Sequence, residues 1–501
     1  MLWILLSLGL IAFWTYHLWW KRRNLPPGPV PLPLFGTLFQ FKQFQTTEDA
    51  YIAWRKEYGD IFTFWHGERP VIGVCSYDLM VEYFQKQGDK YEDRPPDDEL
   101  MKYTKGVHNG IINNDGPLWK TQRRFALHVL RDFGLGKDIM EQRILAECED
   151  LFKNLEDEEA RGVKEHPITN EIDRAIGSVI NSVLFGYRYT KDNIQEFEDL
   201  KLRAFTFLQV LGYPTVMICR NNPLFYEKIP IIGDHLKIVG RTGRHMMDFF
   251  VTRIQEHMKD LESEDMETLE ANDLVAAFLK EKARLDTLNE PHYFTLEQLH
   301  GFCFDIWLAG QETTSNTIGW GIAYLIGHPQ VQEKIHEELD RVIGSERLIT
   351  SADRPSLHYL QAVCHEILRL ANLVPTNVIH ANGEDVIFEG YHLKKGTAIT
   401  PLISTLLYDE KVFPEPYKFI PERFLDENGK VQKIKEMVPF SIGKRVCLGE
   451  NLARMEIFLF LANLLNRYTF LPGAKPPDLT RTHGITAHIK DYSCRLAPRQ
   501  R

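Results

Sequence analysis

The spacing of apolar residues predicts that helices make up most of this chain. The longest amphipathic pattern begins at Thr295, and Gln298 three residues later completes a capping-box sequence. The pattern runs to Ile326, after which Gly327 and Pro329 end it. A helix of about thirty residues is long enough to cross a whole domain.

Shorter patterns add one further helix and a small amount of β-structure. A helical pattern covers 47–58, and two runs rich in β-forming residues follow it at 61–65 and 71–75. We expect these two runs to pair as a hairpin. A second hairpin is predicted within 389–402, with its turn at 394–396. The predicted fold class is therefore mostly α with a small β region (α+β).

The first twenty residues form a long apolar stretch. Residues 1–20 contain one strongly polar residue, His17, and basic residues follow at 21–23. About twenty apolar residues can cross a bilayer as a helix, and the basic cluster should stay on the cytoplasmic side. Because no basic residue precedes this run and no small-residue cleavage site follows it, we expect a retained transmembrane signal anchor. The alternative is an apolar tail packed on the domain. Residues 21–36 then form a basic and proline-rich hinge, and 37–501 form one cytosolic domain.

Composition narrows the range of partners and compartments. The chain has 501 residues, 44% of them hydrophobic, which is enough to bury a large core. Its net charge of −10 indicates no nucleic-acid partner. The seven cysteines show no C-x-x-C pair, so we expect a reducing compartment without a disulfide framework.

The stretch FSIGKRVCLG, 440–449, places one cysteine at the start of a helical pattern. Cys447 precedes the apolar helix that begins near residue 450. The positive end of a helix favours a thiolate over a thiol. A thiolate at this position could be a nucleophile or an iron ligand.

The residues around the cysteine favour the role of an iron ligand over that of a nucleophile. Gly443 permits a turn with positive φ, and Gly449 allows a flat, bulky group to approach the backbone. Phe440 can cover the sulfur, and Arg445 supplies a cation for an acidic group. These features suit a haem whose iron binds the cysteine and whose propionate meets the arginine.

The spacing of these five residues resembles the haem-binding signature of the cytochrome P-450 monooxygenases. The other landmarks of that family occur in family order, and the matching segments are WKTQR, AGQETT, EILR, PERF and FSIGKRVCLG. The resemblance covers essentially the whole chain. It implies the cytochrome P-450 fold, with residues 37–501 as the catalytic domain. It also implies haem b as the cofactor, with an axial thiolate from Cys447.

The resemblance also implies residues that bind the haem propionates. Trp119 and Arg123, four positions apart, lie on one helix face and can reach the same anionic group. In the family, this W-x-x-x-R pattern binds a propionate. His380 matches a basic residue with the same role. Residues 93–118, rich in Pro, Gly, Asn and Asp, are predicted to be a long loop, which in the family is a mobile lid above the haem.

The segment AGQETT, 309–314, places polar residues and a glycine inside the long apolar helix. Such residues weaken regular hydrogen bonding, so we expect a local bulge there. The resemblance implies that Thr313 and Glu312 are catalytic and deliver protons during oxygen activation. The alternative is that Thr313 and Thr314 bond to carbonyls one turn back while Glu312 lies on the surface.

The segment HEILR, 365–369, tests a metalloprotease hypothesis and excludes it. A zinc protease requires a second histidine at the position of Arg369. Glu366 and Arg369 instead match the E-x-x-R pair of the family, which joins Arg423 in PERF. A buried charge set must be internally paired, so we expect these three residues to be structural. The alternative is an exposed ion pair on a helix.

The electron source must be a separate protein, because the sequence contains no G-x-G-x-x-G fingerprint. The resemblance implies an NADPH-dependent flavoprotein reductase in the endoplasmic reticulum membrane, with cytochrome b5 as an additional donor. We expect docking on the cysteine side through basic residues, namely Lys120, Arg124, Lys433 and Lys444.

The general layout resembles the microsomal family-two clan. Its members use O2 to oxidise lipophilic foreign compounds or polyunsaturated fatty acids, by hydroxylation or epoxidation. Two alternatives remain, a haem-thiolate isomerase and a non-catalytic membrane haem sensor. The acid and threonine pair in AGQETT argues against both, because a sensor needs no proton relay and isomerases of this family often lack the pair.

Overall fold

The computed structural model describes residues 1–96, 99–106, 109–133, 138–220, 222–481 and 485–499. The α-helices in the first half are α1 (Leu2–Leu18), α2 (Leu38–Phe41), α3 (Thr47–Tyr58), α4 (Tyr77–Met80), α5 (Glu99–Lys105), α6 (Gly116–Asp132), α7 (Asp138–Ala160), α8 (Ile168–Phe185), α9 (Ile194–Leu211), α10 (Pro214–Met217), α11 (Pro223–Tyr226) and α12 (Ile232–Asp260). The later helices are α13 (Leu274–Thr287), α14 (Leu296–Gly327), α15 (Pro329–Val342), α16 (His358–Ala371), α17 (Ser404–Leu407) and α18 (Glu450–Arg467). The strands are β1 (Ile61–His66), β2 (Arg69–Val74), β3 (His380–Ala381), β4 (Val386–Phe388), β5 (Tyr391–Leu393), β6 (Ala398–Pro401), β7 (Tyr468–Pro472) and β8 (Cys494–Pro498).

Helix α14 lies at the centre of the helical region. It packs against α8, α12, α16 and α18, so most of its side chains are buried. The Thr295 side chain accepts the N–H of Gln298 at 3.1 Å, as the capping sequence predicts. The reciprocal half of the capping box is absent, because the Gln298 Oε1 accepts the N–H of Gly110 at 3.2 Å instead, and its Nε2 donates to the Gly110 carbonyl at 2.8 Å. This residue therefore joins α14 to the segment that follows α5.

The predicted helix at 47–58 and the first hairpin are confirmed. Thr46 and Asp49 form a full capping box at the start of α3. Strands β1 and β2 are antiparallel, with Ile61 opposite Val74. Strand β2 also pairs in parallel with β6, which extends the hairpin into a sheet of order β1-β2-β6-β3.

The predicted hairpin turning at 394–396 is wrong. Strands β4 and β5 form a hairpin with Phe388 opposite Tyr391, so its turn is at Glu389 and Gly390. Both turn residues have positive φ, 47° and 84°, which suits the tight turn of a hairpin. Strand β6 follows this hairpin in the chain but pairs with β2 in the other sheet.

The predicted long loop at 93–118 contains a helix, α5, and its second half is fixed to α14. The Asp305 carboxylate accepts the N–H groups of Ile111 and Ile112 at 2.8 and 2.9 Å. The same carboxylate forms a buried ion pair with Lys105 at the end of α5. These contacts join residues about 190 positions apart, and short-range sequence patterns do not reveal them.

Helix α1 is exposed along nearly its whole length. The segment Leu2–Arg22 is long and apolar enough to cross a membrane. Next to it, Lys21 forms an ion pair with Glu68 at 2.8 Å, and Glu68 also accepts the N–H of Leu34 at 2.6 Å. The proline-rich segment therefore lies against the β1–β2 turn and is not a free spacer.

Candidate functional site

The cysteine loop is built on a glycine with positive φ. Gly443 has φ +83°, and a Cβ at this position would lie 1.8 Å from the Phe84 carbonyl oxygen. Only glycine fits without displacing the backbone of the π-helical turn at 81–86. The loop closes when the N–H of Cys447 donates to the Phe440 carbonyl at 2.9 Å. Gly449 caps α18, and a Cβ there would meet no atom within 4 Å, which leaves room beside the cysteine.

Cys447 differs from the other cysteines in its exposure. All seven are free thiols, and six are buried while Cys447 is exposed. Protein nevertheless surrounds the loop, and desolvation raises the pKa of the Cys447 thiol. The Gly449 N–H and the guanidinium groups of Arg123 and Arg454 act in the opposite direction but do not outweigh burial. The helix start therefore acts in the predicted direction, but burial outweighs it, so a bound metal would have to displace the proton.

The predicted propionate ligands Trp119, Arg123 and Arg445 lie together beside this loop. The Arg445 guanidinium stacks on the Trp119 ring, with 3.7 Å from its central carbon to the ring centroid. Its Nε donates to the Glu92 carbonyl at 2.7 Å and its Nη2 to the Asn114 carbonyl at 2.6 Å. The Arg123 Nη2 donates to the carbonyl of Val446, next to the cysteine, at 2.6 Å.

His380 lies on β3, buried against the same cluster. One of its ring nitrogens, Nδ1, lies 3.0 Å from the Tyr91 carbonyl oxygen. Burial lowers the pKa of His380 well below its usual range, and the nearby charges of Arg94 and Arg445 lower it further. The side chain is therefore neutral at physiological pH in the absence of an added anion.

Arg94 is a member of this cluster that the sequence reasoning missed. Its Nε donates to the Ile112 carbonyl at 2.8 Å and its Nη1 to the Ile379 carbonyl at 2.9 Å. Burial lowers the pKa of Arg94 to about 10 and that of Arg445 to about 8. The charge of Arg123 lowers both values further, and the charge of Arg94 also lowers that of Arg445. The available sequence signal was a lone arginine before two prolines, which does not indicate where the chain places it.

The cluster fits an acidic group that the protein itself does not supply. Among the described residues, Arg94, Arg123 and Arg445 form no salt bridge, and the buried Nη1 of Arg445 has no hydrogen-bond partner. The charges of Asp115 and Glu92 act on Arg445 without forming a salt bridge, so the buried cations are only partly compensated unless a ligand adds negative charge. The two propionates of a haem would supply that charge, with the cysteine sulfur placed to bind the iron.

The AGQETT segment stays helical throughout, so the predicted bulge is wrong. Helix α14 runs without interruption from Leu296 to Gly327. A Cβ on Gly310 would lie 2.7 Å from Ile180, so this glycine allows close packing on α8. Four hydroxyl and amide side chains donate to the carbonyl one turn back, and they belong to Thr313, Ser315, Asn316 and Thr317.

Thr313 lies on an accessible part of an otherwise buried helix. Its Oγ1 donates to the Ala309 carbonyl at 2.6 Å, as the alternative interpretation expects. Ala309 is exposed and Thr313 partly exposed, although the neighbouring turns of α14 are buried. Accessible surface at mid-helix indicates an internal space on this side of α14, where a bound molecule can contact both residues.

Glu312 is not on the surface, so that part of the alternative interpretation is wrong. Its side chain is 1% exposed, and its Oε1 lies 2.7 Å from the Lys201 Nζ on α9. This ion pair gives the buried carboxylate a cationic partner inside the protein. The sequence did not identify Lys201, because a lysine on an amphipathic helix normally indicates a solvated face.

The charge set predicted from EILR and PERF is formed, with Glu366 and Arg369 fully buried and Arg423 at its edge. The Arg369 Nε and Nη2 donate to the two Glu366 oxygens at 2.7 and 2.8 Å, and neither side chain is exposed. The Arg423 Nε donates to the Glu366 Oε1 at 3.2 Å. The exposed-pair alternative is therefore wrong.

The basic residues expected on the cysteine side are partly paired with acids. Lys120 forms an ion pair with Glu92 at 2.7 Å, and Lys444 lies 3.4 Å from Asp89. Lys120, Arg124 and Lys444 line one groove beside Trp119, whereas Lys433 lies outside that groove.

Comparison with known proteins agrees with the fold and the cysteine loop. The family model described as Cytochrome P-450 matches residues 26–496. Cytochrome P-450 2E1 of Oryctolagus cuniculus is 35% identical over 479 residues, which cover 95% of this chain and 93% of that protein. Cytochrome P-450 2C8 of Homo sapiens is 36% identical over 470 residues, which cover 93% of this chain and 92% of that protein. Cytochrome P-450 2C44 of Mus musculus is 35% identical over 502 residues, which cover 99% of this chain and 97% of that protein.

The chain belongs to the cytochrome P-450 family. It is a monooxygenase of the family-two type with the mostly α-helical fold of that family, and it uses haem, O2, an organic substrate and a redox partner.

Proposed function

We propose that this protein is a membrane-anchored haem-thiolate monooxygenase in which Cys447 is the axial ligand of haem b. One observation carries this proposal. The exposed sulfur of Cys447 lies two residues from Arg445, whose buried Nη1 has no partner. An iron atom and a propionate of the same haem would satisfy both groups. Phe440, Gly443 and Gly449 shape the loop that would receive the ring.

The propionates would be held by five side chains. Trp119, Arg123 and Arg445 would supply an indole N–H and two guanidinium groups, and Arg94 and His380 belong to the same cluster. Each of these groups is a hydrogen-bond donor when it faces an anion. Binding two carboxylates here would also remove the mutual repulsion of the arginines.

The bound haem supplies the oxidising chemistry that inserts one atom of O2 into the substrate. The protein contributes the proton groups on α14. Because the Thr313 hydroxyl donates its only proton to Ala309, its lone pairs remain to accept a hydrogen bond from a water or a substrate hydroxyl. We assign Glu312 as the nearby proton-holding carboxylate, and Thr313 as the residue that orients the molecule in the internal space.

The isomerase and sensor alternatives are less consistent with these residues. An isomerase of this family rearranges its substrate without external protons, and a sensor performs no proton transfer. Neither function requires a buried carboxylate beside an accessible threonine. The burial of Glu312 next to a lysine favours the monooxygenase.

Electrons would come from NADPH through a separate flavoprotein reductase, with cytochrome b5 as an additional donor. The groove beside Trp119 lies next to the cysteine loop and carries the basic residues Lys120, Arg124 and Lys444. Asp89 and Glu92 neutralise part of its charge, so docking through this groove would exchange internal ion pairs for intermolecular ones. Lys433 would contribute from outside the groove.

The exposed apolar helix α1 supports an anchor in the endoplasmic reticulum membrane, with the catalytic domain in the cytosol. We infer a lipophilic substrate, either a foreign compound or a polyunsaturated fatty acid. Hydroxylation and epoxidation are both compatible with the residues around Thr313. The shape of the internal space selects between them.

The test is the absorption difference spectrum of the reduced full-length protein exposed to carbon monoxide. We expect the strongly red-shifted Soret band of a thiolate-bound haem, and we expect Cys447→Ser to abolish it while the protein remains folded. The Cys494→Ser variant, in a buried cysteine on β8, is the matched control and should keep the band. A red-shifted band in Cys447→Ser would overturn the ligand assignment, and a folded protein that binds no haem would overturn the proposed function.

A further inference from the structure

Arg454 is held beside the cysteine loop by two contacts. It lies in the second turn of α18, and its Nε donates to the Glu450 Oε1 one turn earlier at 2.9 Å. Its guanidinium carbon lies 4.7 Å from the centroid of the Phe440 ring. The side chains of Arg454 and Glu450 are 20% and 32% exposed, so both charges are partly buried. The carboxylate and the ring together fix the position of the cation.

The Phe440 ring connects this cation to the cysteine. The Phe440 carbonyl accepts the N–H of Cys447 at 2.9 Å, so the residue that carries the ring also closes the loop. The quadrupole of an aromatic ring attracts a cation that lies over its face. The charge of Arg454 is therefore held at a fixed position relative to the cysteine loop.

The location of Arg454 in α18 is not explained by helix stability. Cations are favourable near the C-terminus of a helix, whereas Arg454 lies near the N-terminus. Glu450, in the first turn, has the favourable sign for that end. A partly exposed ion pair between residues four positions apart contributes little to stability. The pair therefore adds little to the stability of the protein.

Charges of both signs act on the sulfur of Cys447. Desolvation raises the pKa of the Cys447 thiol, and the Glu450 carboxylate raises it further, whereas Arg123 and Arg454 act to lower it. Under the proposed function, Arg123 would face a propionate that compensates its charge. Glu450 and Arg454 would then remain beside the sulfur as two opposing charges.

We propose that the ion pair of Glu450 and Arg454 sets the reduction potential of the haem iron through the charges that it places beside Cys447. This inference rests on the proposed function. The step concerned is the reduction of iron(III) to iron(II) by one electron from the redox partner, and no bond forms or breaks. The electron adds one negative charge beside the sulfur, so a nearby cation favours the reduced state and a nearby anion opposes it. Arg454 therefore raises the potential, and Glu450 lowers it.

The test is a redox titration of the full-length haem-loaded protein, followed by absorption spectroscopy without reductase. Arg454→Met removes the cation at similar length, and we expect the ratio of iron(II) to iron(III) at a fixed potential to fall at least about threefold. This change is equivalent to about 28 mV for a one-electron couple. Glu450→Gln removes the anion and should raise the ratio at least about threefold. The double variant should lie close to the unmodified protein, because it removes both charges.

Arg467→Met is the matched control, because Arg467 makes the same two kinds of contact at the other end of α18. Its Nη1 lies 2.9 Å from the Glu156 Oε1, and its guanidinium carbon lies 4.3 Å from the centroid of the Phe152 ring. A rise of about 1.5 Å per residue places it about 20 Å farther along the helix than Arg454. Charges separated by more than about 10 Å in solvent are largely screened, so the ratio should not change in this control.

The opposite signs of the two shifts distinguish an effect of charge from a structural role. A pair that only supports the loop would change the ratio in the same direction in both single variants, or would reduce the haem content without changing the ratio in the loaded protein. Arg454→Lys keeps a cation but lacks the planar group over the ring. Its ratio should therefore lie between those of Arg454→Met and the unmodified protein.

The outcomes separate this inference from the proposed function. A red-shifted carbon monoxide band in Cys447→Ser would overturn the ligand assignment and this inference with it. If that band requires Cys447 but both single variants keep the unmodified potential, or shift it in the same direction, only this inference is overturned. Should Arg454→Met fail to fold, Glu450→Gln decides the question at a partly exposed position. A raised ratio in that variant supports the inference, and an unchanged ratio overturns it.

Discussion

Arg369→Met is the perturbation whose effect on stability follows most directly from the structure. Arg369 is completely buried and donates to both oxygens of Glu366. It also donates to the carbonyl groups of Leu407 and Pro416 at 2.8 and 2.7 Å. Methionine fills similar space but donates no hydrogen bonds, so the substitution leaves a buried carboxylate with one remaining cation, Arg423.

Removing one partner of a buried ion pair costs about 3–5 kcal/mol. That amount is a large part of the roughly 5–15 kcal/mol by which a folded domain is stable. The matched control is Lys334→Met, because the ion pair of Lys334 with Glu422 is 52% and 42% exposed. An exposed pair contributes about 0–1 kcal/mol, so the control should unfold almost like the unmodified protein.

The assay is urea unfolding of the holoenzyme followed by circular dichroism, with the ratio of haem to protein measured in parallel. We expect Arg369→Met to be destabilised by at least about 3 kcal/mol and to lose haem. The unfolding free energy of Arg369→Lys should be much closer to that of Arg369→Met than to that of the unmodified protein, because a lysine cannot make the bidentate contact. A loss below about 1 kcal/mol in Arg369→Met, within the range of an exposed pair, would show that the charge set is not structural.

Three further results are expected. Gly443→Ala should destabilise the haem-loaded protein by more than about 1–3 kcal/mol, because the added Cβ would clash with the Phe84 carbonyl. The control is Gly429→Ala, because Gly429 has a similar φ of +71° but open space around it, so the substitution should cost about 1 kcal/mol. Burial lowers the pKa of His66 to about 3, so as the pH falls the unfolded state binds a proton at this residue before the folded state does. The unfolding free energy should then fall below about pH 6.5 by up to about 1.4 kcal/mol per pH unit, and His66→Gln should show a smaller slope in guanidinium titrations. Deleting residues 1–24 should move the protein from the membrane pellet to the supernatant after centrifugation, and retention in the pellet would indicate a second lipid-binding surface.

Local sequence signals predicted the elements that short-range interactions determine. The capping residues of α3 and α14 and the first hairpin were predictable, because each depends on side chains a few positions apart. The second hairpin was misplaced because the predicted turn at 394–396 is present but joins β5 to β6, which lie in different sheets. The hairpin itself turns at Glu389 and Gly390. The helix inside 93–118 was missed because its contact with Asp305 lies far away in sequence.

The same distinction applies within the site. Short motifs with a fixed spacing contain Cys447, Trp119 and Arg123, so a resemblance to a known family can locate these residues. Arg94 and Lys201 do not, because each acquires its role from groups more than one hundred residues away. Such residues are also the ones in which related enzymes can differ without changing their motifs. Differences in haem retention and proton supply among relatives with identical motifs should therefore be sought at such positions, where buried charge is balanced across helices.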